Sequence, residues 1–424
     1  RDKAALLVTM LRLAGFDSYP VLIMVGEKLD SEIPITFFNH AVVAAKFKGV
    51  DEYILMDPTN ESTLELFPEY LCEKSYLVAT PDGEKLRVSP SIDYRKNMVV
   101  INTSARLEIG KDGTSALCEG HTTIDFKGLN DTMYRGFFVD SNKKTIQSFL
   151  RKNLTKVNPK LILRDYQLFP EDPSDTSKPL RLELFYDMAS PLPKLIHGAP
   201  LALDVPQFSE VFGVVNMVMP DTSLLTRRFP LKIYSTCGNE EKITIQLPKE
   251  FAGIGAFPDQ LSEIDVASGP FVFKYNTQLL TDTEGAPKLQ LDLATAITNR
   301  EIPPEEYEES RQALFTQDFK NEIMPILGAD AISAAKENSF SDTVQVSASN
   351  GMRSVESDGA VFELQTMHVS IDSATSEVVI NRKQRVKLLD RAAKALHSDV
   401  TFDFYPKYEK LSILNAATIK ASGE

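Results

Sequence analysis

RDKAALLVTMLRLAGF at residues 1–16, read together with FNHAVV at 38–43 and LMDPT at 55–59, decides the fold of the opening part of this chain. Ala4, Leu7, Val8, Leu11 and Ala14 recur at i, i+3, i+4 and i+7, the spacing of one helix face. Leu6, Met10 and Leu13 carry apolar character onto the flank, which predicts a helix covered on most sides. Gly15 is the expected stop, because a residue without Cβ can take the left-handed turn that ends a helix. The sequence opens inside the first turn of this helix, without Met and without a capping side chain, and is read as a piece of a longer protein.

Downstream, YPVLIMVG (19–26) is a nearly continuous apolar run, expected as a central strand, and GEKLDSEIPI (26–35) reads as a loop long enough to edge a cleft. FFNHAVVAAKF (37–47) and EYILMD (52–57) read as strands joined by the four-residue turn KGVD. With that turn, Phe47 pairs with Glu52 and Val42 stands opposite Asp57. His40 then lies two residues from Val42 on the same face. Diagonal neighbours of this kind are ~7–8 Å apart at the backbone, within side-chain reach. Asn39 points to the other face. A lone strand histidine is most often a satisfied core or edge residue, and Asp-Pro-Thr at a strand end is most often turn chemistry. Neither residue marks a site by itself.

In order and separation, DKAALLVTMLRLAGFDSYPVLI, FNHAVV and LMDPT resemble the bacterial transglutaminase-like domain family, over roughly the first fifth of the chain. In that family the helix follows Gly-Asp-Cys-Lys/Arg-Asp-Lys, and the Cys is the nucleophile of a Cys-His-Asp triad. By position, Arg1, Asp2 and Lys3 match the residues after the Cys, His40 matches the catalytic His, and Asp57 the Asp. The nucleophile is then expected immediately before Arg1. The chemistry has a physical basis. A helix amino end lowers a thiol's pKa, an imidazole beside it moves the proton, and a carboxylate fixes the imidazole tautomer. The resemblance implies a papain-like fold and a thioester route on amide or ester carbonyls of a protein or peptide substrate. It implies no cofactor, a periplasmic or cell-envelope location, and envelope components as further partners.

Composition sets the outer limits. At 43% hydrophobic and 25% charged residues the chain is an ordinary globular one, and 424 residues suggest three or four units. A net charge of −13 argues against a nucleic-acid partner, since phosphate binding needs a basic face. The longest apolar run, VFGVVNMVM at 211–219, is far short of the ~20 residues that span a bilayer. Cys72, Cys118 and Cys237 are widely spaced and odd in number, which suits buried free thiols better than disulfides or zinc. Cys72 follows the Asp and falls outside the family's order. His121, His197, His368 and His397 show no metal-ligand spacing, so no metal site is expected. Glu305, Glu306, Glu308 and Glu309 read as a solvated helix start, and GIG at 253–255 is too short for a phosphate loop.

The expected class is α+β: a partial papain-like or transglutaminase-like domain at 1–90, followed by mostly antiparallel β-sandwich-type domains. From residue 91, strands alternate around KDG and enclose a helix at 142–157 with Ile146, Phe149, Leu150 and Val157 on one side. This β-rich unit closes near 226. A second β unit runs over 227–325 and ends in a helix begun by Pro303 and Pro304, with Tyr307, Arg311, Leu314 and Phe315 as its face. Residues 326–355, rich in Ser, Asn and Gly, read as a linker, and 356–424 as the truncated start of a further β-domain. The later units resemble the uncharacterised β-domains that flank transglutaminase-like domains in Bacteroidetes proteins, which suggests tandem modules. The alternative is a non-catalytic envelope scaffold or binding protein, whose β-domains carry the function. Cys before Arg1 favours the enzyme, and Ala, Ser or Gly there favours the scaffold.

Overall fold

Gly15, at φ +88°, turns the chain out of α1 (Asp2–Leu13) and into β1 (Asp17–Ile23), with Phe16 N–H donating back to the Leu11 carbonyl. The computed structural model describes residues 1–26, 28–29, 32, 37–50, 52–109, 115–191, 201–202, 205–249, 263–281, 285–321, 326–327, 356–357, 360–371, 378–388, 412–414 and 417. After β1 come β2 (His40–Lys46), β3 (Ile54–Met56), β4 (Ser75–Val78) and β5 (Arg87–Val88). They form an antiparallel sheet in the order β3-β2-β1-β4-β5. Val43 pairs with Met56 and Ala45 with Ile54, the register that a four-residue turn after Phe47 produces.

α1 covers one face of this sheet, where Ala4 and Val8 pack with Val43, Ala45 and Met56. The other face carries Val21, Ile23, Val42, Ala44 and Leu55 and is closed by Leu71, Tyr76 and Val78. The helix is covered on one side only: Leu6, Met10 and Leu13 are exposed, against the expectation of a helix buried on most sides. The stripe through Ala4 and Val8, flanked by the partly buried Leu7 and Leu11, is the side that reaches the sheet.

The next elements are β6 (Met98–Ile109), β7 (Ser115–Phe126), α2 (Leu129–Asp140), α3 (Lys143–Val157), β8 (Leu161–Phe169), β9 (Arg181–Pro191) and β10 (Leu201–Ala202). Then follow α4 (Val215–Val218), β11 (Leu231–Lys232), β12 (Cys237–Gln246), β13 (Glu263–Ser268), β14 (Phe271–Thr281) and β15 (Pro287–Ile297). β16 (Glu301–Ile302), α5 (Tyr307–Asn321) and β17 (Ile326–Leu327) end this unit. Eight of these strands make one sheet in the order β13-β14-β15-β12-β6-β7-β9-β8.

Two expectations are corrected here. The segments 91–226 and 227–325 do not make separate sheets, because β12 lies parallel to β6 with Gly238 opposite Met98 and Gln246 opposite Arg106. Among the described residues, helices rather than the second sheet of a sandwich cover the apolar face of this sheet. Val99, Ile101, Leu182, Leu184, Ile243 and Leu291 pack with Tyr134 and Phe138 of α2 and with Ile146, Leu150 and Leu154 of α3. α3 follows its sequence pattern, capped by the Asn142 side chain on Thr145 N–H. The polar residues Asn130, Asp131 and Arg135 are buried on α2 and obscure its apolar period. β17 pairs with β10, so the first residues of the expected linker belong to this unit, and most of the rest of that linker lies outside the described residues.

The chain divides into one unit over Arg1–Asp330 and another over Ala331–Glu424. In the second, β18 (Glu356–Ser357), β19 (Ala360–Ile371) and β20 (Val378–Leu388) form an antiparallel three-stranded sheet. No described helix is long and apolar enough to cross a membrane.

Two buried charges in the first unit make measurable predictions. Arg135, fully buried, donates to both oxygens of Asp131 and to the carbonyls of Pro173, Asp175 and Lys178, tying the 171–179 loop to α2. Arg135→Met strands the Asp131 carboxylate and is expected to cost about 3–5 kcal/mol, read as a lower urea midpoint. Burial pushes the Glu241 carboxyl up to about 7, although it accepts the Phe208 and Ser209 N–H groups. The raised folded value means that its contribution is intact below the ordinary carboxylate range, about pH 4.3, and is lost as pH rises through about 7. Relative to Glu241→Gln, the natural chain is expected to lose at least about 2 °C of thermal midpoint between pH 5 and pH 8. Equal midpoint differences at the two pH values count against it.

Candidate active site

His40 is the first residue of β2, and Asp57 follows the last residue of β3, so both stand at the rim of the small sheet. By strand alternation His40 is in step with Val42 and Ala44, and Asp57 with Leu55. The two side chains meet, with His40 Nε2 lying 3.0 Å from Asp57 Oδ2. The imidazole is 23% exposed and the carboxylate fully buried.

Four donors surround that carboxylate. Thr59 gives Oδ1 two hydrogen bonds, from its N–H at 3.0 Å and its hydroxyl at 2.7 Å. On Oδ2, the His40 ring is joined by the Tyr70 hydroxyl at 2.7 Å. Turn chemistry therefore uses one carboxylate oxygen and leaves the other for the imidazole. Burial works to raise the Asp57 carboxyl, but the hydrogen bonds from Thr59, Tyr70 and His40 together outweigh it and hold Asp57 below the ordinary carboxylate range. With the carboxylate ionised, the ring proton belongs on Nε2. Nδ1, which no described residue hydrogen-bonds, is then the basic nitrogen.

The amino end of α1 comes to the same rim. Ala4 packs with Met56, the residue before Asp57, and Lys3 forms an ion pair with Glu61. The helix lies on the face of the sheet opposite to Val42 and Leu55. Asn39 takes no part; it brackets the end of β1 through both the N–H and the carbonyl of Val25.

Tyr70 is the residue that the sequence did not announce. It sits in a 3-10 turn, Glu69–Leu71, thirteen residues after Asp57, and no motif contains it. The available signal is weak: Pro68 before EYL marks a turn, and a tyrosine there needs a partner for its hydroxyl.

The other candidate residues stay apart from this pair. Cys72, Cys118 and Cys237 are buried, which pushes their thiols up to about 12, 11 and 12, so they remain protonated. His121 stacks on Phe185 with ring centres 4.5 Å apart and lies 3.2 Å from Glu183, on the large sheet. His197, His397 and the side chain of His368 lie outside the described residues. Glu308 faces Arg311 and Gln312 along α5. Two cavities, of about 470 and 370 Å³, open on the large sheet beside Lys242, and neither is lined by His40 or Asp57.

No protein-family model and no curated protein matches the chain. A solved structure from Parabacteroides distasonis, described as that of a proposed protease, is similar at 11% identity with a TM-score of 0.35. The match covers 76% of this chain and 42% of that one, so the chain spans well under half of that protein.

The hydrogen bonding makes Tyr70→Phe informative. Removing one donor is expected to raise the Asp57 midpoint, read from its carboxyl carbon by NMR. A depressed folded value gives stability above the unfolded value near pH 4, lost as pH falls through the folded one, so in the variant that loss is smaller and is complete at a higher pH. An unmoved midpoint means that the tyrosine does not hold the carboxylate.

Proposed function

We propose that His40 and Asp57 are the base and the orienting group of a transglutaminase-like cysteine acyl-transfer site, within a papain-like opening domain. Its thiol stands on the residue before Arg1. The reading is carried by one observation: a buried carboxylate with four donors holds an imidazole at a sheet rim that the amino end of α1 also reaches. The three cysteines within the chain are buried, which keeps their thiols protonated and is in keeping with a nucleophile other than these three.

In this reading the thiol proton passes to His40 Nδ1 and the thiolate adds to an amide or ester carbonyl of a protein or peptide. Collapse of the adduct breaks the bond to the leaving group, which takes the proton back from the imidazolium. A thioester remains. Water or an amine then attacks it, giving hydrolysis or transfer, with Asp57 holding the ring throughout. The site sits in the periplasm or cell envelope. A second reading, an envelope binding protein, draws on the breadth of the large sheet, whose outer surface carries polar residues such as Glu240, Lys242, Asp265 and Lys274.

The test uses protein extended through the residue before Arg1. One thiol is expected to react fast with iodoacetamide near neutral pH, and His40→Ala to lower turnover of a peptide amide or ester by at least about 10³-fold. Unchanged turnover in that variant removes His40 from the chemistry. Ala, Ser or Gly in place of the thiol supports the binding protein instead.

A further inference from the structure

The 3-10 turn Glu69–Leu71 is anchored nearby only at its far end, where Leu71 is buried in the small-sheet core and its carbonyl accepts the Ser89 hydroxyl at 2.6 Å. Its own bonds are Leu71 N–H to the Pro68 carbonyl and Cys72 N–H to the Glu69 carbonyl, and so short a turn is not stable alone. Yet it carries Tyr70, whose hydroxyl must stay within 2.7 Å of Asp57. What pins its Glu69 end comes from far along the sequence. Ser235 donates to Glu69 Oε1 at 2.7 Å, and Arg300 forms an ion pair with the same oxygen. Arg300 also reaches the Glu69 carbonyl at 3.3 Å and the Cys72 carbonyl at 3.0 Å, and its Nε lies 3.4 Å from Glu73. One guanidinium thus grips both ends of the turn. Arg300 lies just before β16, and Ser235 between β11 and β12.

We infer that Arg300 and Ser235 are positioning residues for the small sheet: by holding Glu69 they fix the turn whose next residue, Tyr70, keeps Asp57 on His40. This rests on the reading of His40 and Asp57 as the working pair. As a source of stability the Glu69–Arg300 pair is poor. Glu69 is fully buried, and its Oε2 has no hydrogen-bond partner among the described residues. Burying such a pair commonly costs as much as the attraction returns. As a locator it is good, because a planar guanidinium sets direction as well as distance. The titratable groups bonded to Asp57 are His40 from β2 and Tyr70 from the turn. Arg300 is not among the groups hydrogen-bonded to Asp57, so its influence passes through the place of the tyrosine.

The experiment follows the Asp57 carboxyl carbon by NMR across pH in the 424-residue chain, and so needs no turnover. Arg300→Gln is expected to raise the Asp57 midpoint by at least half of the shift that Tyr70→Phe produces. Arg300→Lys, which keeps the charge but loses the planar fork, is expected to restore only a minor part of it. In a Tyr70→Phe background, Arg300→Gln is expected to add nothing. Should Arg300→Gln fail to fold, Ser235→Ala removes a single bond and is expected to shift the midpoint in the same direction. The inference is overturned if Arg300→Gln, or Ser235→Ala where the first does not fold, leaves Asp57 at its natural midpoint. It is equally overturned if Arg300→Gln shifts Asp57 as far with Phe at position 70 as with Tyr. An extended protein that turns over normally while Asp57 stays unmoved sinks this inference alone; normal shifts without turnover sink the acyl-transfer reading alone.

Discussion

A carboxylate taken out of water at the rim of a sheet must recover the hydrogen bonds it gives up, and Asp57 recovers four. The arrangement of the small sheet follows from that requirement. β3 is short and gives way at once to Pro58 and Thr59, so that a backbone N–H and a hydroxyl turn back onto Oδ1. The chain then returns through the 3-10 turn to bring Tyr70 onto Oδ2. The fourth donor is the imidazole itself. Its place is set by the β2–β3 register, in which Val43 opposite Met56 puts His40 and Asp57 at the same end. A slip of one residue would send the histidine to the opposite face and leave the carboxylate one donor short.

The large sheet supports this rim from outside. Because β12 pairs antiparallel with β15, the residues before β12 and after β15, Ser235 and Arg300 among them, come together, and the parallel pairing of β12 with β6 places them at the end of the sheet where β6 begins. The Ile233 N–H donates to the Arg300 carbonyl, which ties the two approaches to each other before either reaches Glu69. A separate β-domain on a free linker could not supply two groups to one carboxylate at hydrogen-bonding distance. The sheet that crosses the expected boundary near 226 makes this contact possible.

Local signals were legible in the sequence and distant pairings were not. The helix at 1–16, its stop at Gly15, the hairpin register around KGVD and the helix at 142–157 each rest on neighbours within a few residues, where periodicity and turn chemistry act. The exposure of Leu6, Met10 and Leu13 could not be read in the same way, since an apolar side chain carries no record of which face meets the sheet. The parallel pairing of β6 with β12 joins residues about 140 positions apart and has no signature in either strand. α2 was hidden for another reason. Its buried Asn130, Asp131 and Arg135 serve Asn97, Val214 and the 171–179 loop, so polar residues occupy positions that a pattern reading reserves for apolar ones. Tyr70 and Arg300 were missed because their roles lie in side-chain partners that the fold alone creates.

Three of the buried carboxylates in this unit, Asp57, Glu69 and Glu241, differ in how far hydrogen bonds offset burial. Glu241 receives two backbone N–H groups but is wholly enclosed, and burial prevails, pushing it up to about 7. Glu69 has an arginine and a serine on one oxygen and nothing on the other, and burial again prevails, raising it despite the positive charge. Asp57 has donors on both oxygens and sits at a rim, where the loss of solvent is smaller, and there the hydrogen bonds prevail. Proximity to a cation is thus not what keeps a buried carboxylate ionised here; the number and placement of donors decides. An orienting group must stay negative across the range in which its histidine gains and loses a proton. Glu69, raised and engaged by Arg300, serves to locate a turn, whereas Asp57 keeps the charge that fixes the ring proton on Nε2 and leaves Nδ1 basic.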